Sequence, residues 1–146
     1  MTTTRRPPRH AVDRPSLRAR LDAGIAAPLT LVVAPAGSGK TVLLSQWGDS
    51  RADLAIAWVD VSASDEDPVV FARNLIGALG RADVRLSPLD VPVGAPDRGL
   101  GDPFVEAILA ELSNLGQIVV VFDDLHNLAR SAIVVDLWHM VEHLPD

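Results

Sequence analysis

The 146-residue chain has no cysteine and no tyrosine, only 4% aromatic residues, and a single lysine against twelve arginines. Without cysteine there is neither a disulfide framework nor a thiolate metal centre, a composition compatible with a reducing cytosol. No apolar run approaches the ~18 residues a membrane helix requires. The start, with Arg5-Arg6 followed by prolines rather than an apolar stretch, lacks the pattern of a secretory or twin-arginine signal, and the reading is a cytoplasmic protein. Nor is there a Gly-x-Ser-x-Gly elbow, a zinc-protease helix signature or an EF-hand loop, so nucleophilic and metallo-hydrolase chemistry find no support.

What is present is 48% hydrophobic and 22% charged, the balance of one globular domain. The net charge is −6, yet residues 1–20 hold six arginines and one acid, so the rest is more acidic still. Residues 1–14 read as a basic tail and 15–146 as the domain. An acidic body is a poor surface for nucleic acid, and direct DNA binding is not expected.

The lone lysine, Lys40, falls in Ala34-Pro35-Ala36-Gly37-Ser38-Gly39-Lys40-Thr41, a Walker A loop. Upstream, Leu29 to Ala34 reads as a buried strand; downstream, a helix runs from about 40 to 47. Glycines 37 and 39 let the backbone wrap a phosphate with its N–H groups inward, and the helix adds its positive end. Lys40 would reach the β- and γ-phosphates, and the Thr41 hydroxyl would ligate Mg²⁺. The first position is Ala34 rather than glycine, which is tolerable if its φ is negative.

Hydrophobic periodicity places further helices at about 17–26 (Ser16 as N-cap), 68–80, 103–115 and 131–143, with strands at 54–61 and 117–123. Residues 82–102, with three prolines and three glycines, read as a long loop. Alternating strands and helices give an α/β P-loop fold, a parallel open sheet with helices on both faces. The run Gln117 to Phe122 ends in Asp123-Asp124. Asp123 takes the Walker B role of holding Mg²⁺, and Asp124 either orients or deprotonates the attacking water or caps the next turn. His126 is a γ-phosphate sensor or a local hydrogen bonder. His139 and His143, four apart, have metal-ligand spacing but no evident third ligand, and read as an exposed helix face. Trp47, Trp58 and Trp138 read as core or as covered by a neighbouring domain.

These stretches, with Leu43-Leu44-Ser45-Gln46-Trp47, Ala57-Trp58-Val59-Asp60-Val61, Asp65-Glu66-Asp67-Pro68, Asp123-Asp124-Leu125-His126 and Glu142-His143-Leu144-Pro145, resemble the nucleotide-binding domain of large ATP-binding LuxR-type transcriptional regulators. Those are maltose-regulon-activator-like members of the STAND class, and the resemblance spans about residues 12–146. It implies an ATP/ADP–Mg²⁺ switch with slow hydrolysis at most, and association with itself or with a full-length regulator. It also places the segment around Val12-Asp13-Arg14 near the base. In that family a sensor strand lies between the P-loop and Walker B strands, followed by sensor and DNA-binding domains. The sequence stops at Asp146 before them, so an incomplete, N-terminal fragment of the domain is expected, with a gap in its sheet or with the two strands paired directly. A catalytic P-loop ATPase or kinase and a non-catalytic interaction module are the other readings.

Overall fold

The computed structural model describes residues 11–91 and 99–144. Its frame is a pair of parallel strands, β1 (Ala55–Asp60) and β2 (Ile118–Asp123), in register from Ala55 opposite Ile118 to Asp60 opposite Asp123. Parallel strands need a crossover, and here it runs through helices α3 (Pro68–Arg81) and α4 (Asp102–Ser113). Helices α1 (Pro15–Gly24) and α2 (Lys40–Asp49) precede β1, and α5 (Ile133–Glu142) follows β2.

Side-chain alternation along the strands creates two cores. Ala57, Val59, Val120 and Phe122 pack with Phe71, Leu75, Leu79, Phe104, Ile108 and Ile133 of α3, α4 and α5. Ile56 and Val121 face the other way, against Leu21 of α1 and Leu43 and Trp47 of α2. Helices therefore cover both faces, as the fold class requires. Asp123 shares the α1/α2 face by parity with Val121, and this directs its carboxylate toward the start of α2.

Local chemistry accounts for the helix ends. The Asp67 carboxylate accepts from the N–H groups of Val69 and Val70 at 2.8 and 3.4 Å, with Pro68 in the first turn of α3. Helix α1 starts earlier than its predicted Ser16 cap, because Pro15 supplies the pre-set φ of a first helical residue and Arg14 becomes the non-helical N-cap. Of the loop at 82–102, residues 92–98 lie outside the described residues, and 82–91 form no regular element.

One expectation is overturned. Leu29 to Ala34 is not a buried strand: no ladder joins it, and Leu31 and Val33 are 68% and 88% exposed. β-propensity supplies no hydrogen-bonding partner, and a strand exists only where its N–H and C=O groups find one. Among the described residues the sheet has two strands, and β2 pairs with β1 rather than with the P-loop segment. Of the tryptophans, Trp47 is buried core at 3% exposure, Trp58 is half-buried and Trp138 is 56% exposed.

Candidate functional site

The Walker A residues form a turn between the extended segment and α2. The Ser38 N–H donates to the Pro35 carbonyl at 3.3 Å, and Gly37 and Gly39 sit at φ 76° and 86°. Both angles lie in the left-handed region, where a side chain is strained, so the two glycines are required by the backbone itself. Gly39 is the N-cap of α2, and the helix opens on Lys40. The N–H groups of that first turn are left without helical partners, and they carry the positive end of the helix dipole.

Lys40 is held by its own loop: Nζ donates to the carbonyls of Ala34 at 2.8 Å and Pro35 at 3.1 Å. The ammonium thus already lies within the loop, bonded to weak neutral acceptors that an anion would displace. One turn on, the Thr41 hydroxyl donates to Asp123 Oδ2 at 2.8 Å across 82 residues of sequence. Asp123 is 4% exposed, and the other oxygen of its carboxylate accepts from the Asp124 N–H at 3.1 Å. A hydroxyl beside a buried carboxylate is an oxygen donor set suited to a hard divalent cation. The acid and the hydroxyl predicted as metal ligands are therefore in direct contact.

Asp124 lies in the left-handed region at φ 58°, an uncommon place for a non-glycine residue, though aspartate tolerates it better than most. Its side chain is 58% exposed and reaches His126 Nδ1 at 3.7 Å, while the His126 side chain is 75% exposed. The Asp124 carboxylate is thus turned to solvent rather than onto Asp123.

Beside the loop lies a cavity of about 290 Å³, walled by Val12, Arg14, Ser38, Gly39, Val42 and Gln46. Its size falls at the small end of the range for small-molecule sites, roughly 300 Å³ upward. Two of its wall atoms, Ser38 Oγ and Gln46 Oε1, are buried without a hydrogen-bond partner. Orphaned polar atoms are costly, and their concentration here is what a site completed by a polar ligand displays. Glycines at positive φ, an ammonium, a helix N-terminus and these two atoms together fit a nucleotide phosphate chain.

Sequence reasoning placed Arg14 only loosely. The structure gives it a definite contact: its guanidinium donates to the Ser38 carbonyl at 3.1 Å and lies over Gly39, so Arg14 rests on the P-loop. No local pattern announces a pairing 24 residues apart. The ends of the strands are tied by groups that sequence reading also passed over. Asn127 Nδ2 donates to the Val61 carbonyl at 2.9 Å, and Asn74 Nδ2 donates to the Asp60 carbonyl and the Asp65 carboxylate. Asp65 is buried and forms a capping box with Ser62, and Ser62-x-x-Asp65 is a signal the sequence did contain.

Under the loop, α1 and α2 are joined by polar bonds. The Trp47 indole donates to Asp22 Oδ1 at 2.9 Å, and Arg51 bonds Asp22 at 2.8 Å and Asp53 at 2.7 Å. The indole hydrogen bond first, and then Arg51, hold the Asp22 carboxyl below the usual carboxylate range; Arg51 does the same for Asp53.

Known proteins are similar to this chain over most of its length. The AAA domain family matches residues 25–145. The HTH-type transcriptional regulator MalT of Vibrio cholerae serotype O1 is 30% identical over 140 residues, 94% of this chain and 15% of that protein. MalT of Serratia proteamaculans is 32% identical over 140 residues, with the same coverage. The serine/threonine-protein kinase PknK of Mycobacterium tuberculosis is 32% identical over 133 residues, 89% of this chain and 11% of the kinase. The chain thus spans about one seventh of the regulators and one ninth of the kinase.

Proposed function

This chain belongs to the AAA domain family, and on that premise we propose that it is the ATP–Mg²⁺ binding switch domain of a LuxR-type, STAND-class transcriptional regulator. The observation that carries the reading is the 2.8 Å contact between Thr41 and Asp123 at the start of α2. It brings the two sequence motifs together beside the phosphate loop, which supports reading them as one metal position.

In this reading Ala34 to Thr41 wrap the phosphate chain, and Lys40 exchanges its loop carbonyls for the β- and γ-phosphates. Magnesium, when bound, would neutralise phosphate charge between Thr41 and Asp123. Asp124, on the solvent side, orients the attacking water and supports slow hydrolysis at most. The similarity to MalT supports a regulatory setting, with ATP favouring association with a second copy or with a longer regulator. DNA is not contacted by this chain, whose described helices include none long and apolar enough to cross a membrane.

Titration of the purified chain with ATP in the presence of Mg²⁺ tests this directly. Saturable binding is expected, weakened by EDTA and by Asp123→Asn. Binding of equal strength with and without magnesium would remove the metal assignment, and no ATP binding at all would overturn the function.

A further inference from the structure

The nucleotide site makes no use of the C-terminal end of α5, where sequence alone offered two histidines at a four-residue spacing. The fold adds a third group. His139, Glu142 and His143 are all exposed, and one ligand atom from each lies within 4.8 Å of the others. The two imidazole rings are 4.2 Å apart between centroids. We propose that these three residues bind a divalent transition-metal ion of the zinc class, a site independent of the nucleotide reading.

Three arguments support it. First, the donor set is right: two imidazoles and a carboxylate leave a fourth, tetrahedral position for water, a recurrent zinc arrangement. Bonds of about 2.0–2.1 Å at tetrahedral angles need donor atoms about 3.3 Å apart, so metal binding requires the exposed side chains to rotate in from a spacing of up to 4.8 Å. Second, one ligand is already oriented. His143 Nδ1 lies 2.8 Å from the His139 carbonyl oxygen. A carbonyl only accepts, so Nδ1 carries the proton and Nε2 presents its lone pair outward; a metal-bound histidine is normally fixed through its other nitrogen in this way. Third, the cluster stands at the end of a ten-residue helix, where the dipole is negative and favours a cation.

The residue order His139-x-x-Glu142-His143 is the inverted form of the zinc-peptidase helix signature, which corrects the reading that the sequence holds none; in such helices the two histidines ligate the metal and the glutamate acts as base, whereas the ligand set proposed here adds Glu142 to the two imidazoles. Here three exposed side chains give no shaped cleft, so the site is one of binding rather than peptide hydrolysis.

The test is zinc titration of the full chain by calorimetry, with cobalt substitution read by its visible absorption. One equivalent of zinc is expected to bind, and cobalt to give the intense bands of a four-coordinate site. Glu142→Gln should weaken binding by at least the ten- to hundredfold loss typical of a supporting group. The double variant His139→Ala, His143→Ala should lose it, with the helical circular dichroism unchanged because both side chains are exposed. Asp123→Asn and His126→Ala should leave this binding intact, which separates it from the magnesium position. Zinc binding of full strength in the double variant, or none in the unaltered chain at millimolar metal, overturns the proposal.

Discussion

Replacing Lys40 by alanine isolates the charge on which the nucleotide reading depends. In the free protein the ammonium makes two hydrogen bonds to neutral carbonyls, of Ala34 and Pro35. On binding, those bonds are exchanged for bonds to anionic oxygens, so the two carbonyl contacts offset part of the gain. The net advantage is taken as one charge-assisted bond, about 1.5–3 kcal/mol. At about 1.4 kcal/mol per factor of ten, this corresponds to a rise of roughly tenfold to a hundredfold in the Kd for Mg-ATP. The fold should lose little, since the carbonyls released are exposed and water replaces the ammonium. A cost below about 1 kcal/mol moves Tm by no more than about 2–4 °C in a chain of this size. Lys40→Arg should also bind poorly, because a planar guanidinium does not reproduce a compact charge on a flexible stem. The assay is calorimetric titration with Mg-ATP, with circular dichroism and thermal melting as controls on folding. A Kd for Lys40→Ala within threefold of the unaltered protein, with the fold intact, would refute the assignment of Lys40 to phosphate.

Gly39→Ala places a side chain at φ 86° against Arg14; it should destabilise the protein by roughly 1–2 kcal/mol, read by chemical denaturation, and weaken ATP binding further through the distorted loop. Asp124→Asn should leave ATP affinity nearly unchanged while removing whatever slow turnover a phosphate-release assay detects; unchanged turnover would return Asp124 to a capping role, whereas rapid turnover in the unaltered protein would favour the catalytic ATPase reading. The Asp22 and Asp53 carboxyls titrate below their unfolded values, so their contribution is present above about pH 4 and lost as pH falls through the folded-state values. Arg51→Gln should therefore lower stability at neutral pH, and its denaturation curves should converge with those of the parent as pH falls below the ordinary carboxylate range. Leu31→Thr should change stability by less than about 0.5 kcal/mol because the side chain is exposed, whereas Ile108→Ala, fully buried, should cost about 2–5 kcal/mol.

The sequence by itself determined the fold class, the order of the elements apart from the strand read at 29–34, and the identity of the loop. Those follow from local chemistry. An apolar run of five, Ile118 to Phe122, fits a covered parallel strand, Pro68 after Asp67 starts a helix, and glycines 37 and 39 are needed wherever the backbone must turn left-handed before one. An acid ending such a run is ordinary by itself, and it is the Walker A loop upstream that singles out Asp123 as the candidate metal ligand.

What only tertiary structure decided are the relations between distant residues. That Thr41 touches Asp123 depends on strand parity, which turns Asp123 to the α2 face. That Arg14 rests on Ser38 depends on how α1 docks, and no spacing in the sequence encodes it. The segment Leu29 to Ala34 shows the converse: its composition is that of a strand, yet a strand is a relation between two backbones, and among the described residues its partner is missing. The third ligand at the end of α5 was in plain view as Glu142, but only the folded helix brought its carboxylate, the two imidazoles and the His139 carbonyl together. Sequence fixes what each residue can do; the geometry that unites groups far apart in the chain arises from packing, where burial and hydrogen-bond satisfaction choose among arrangements that local preference leaves equal.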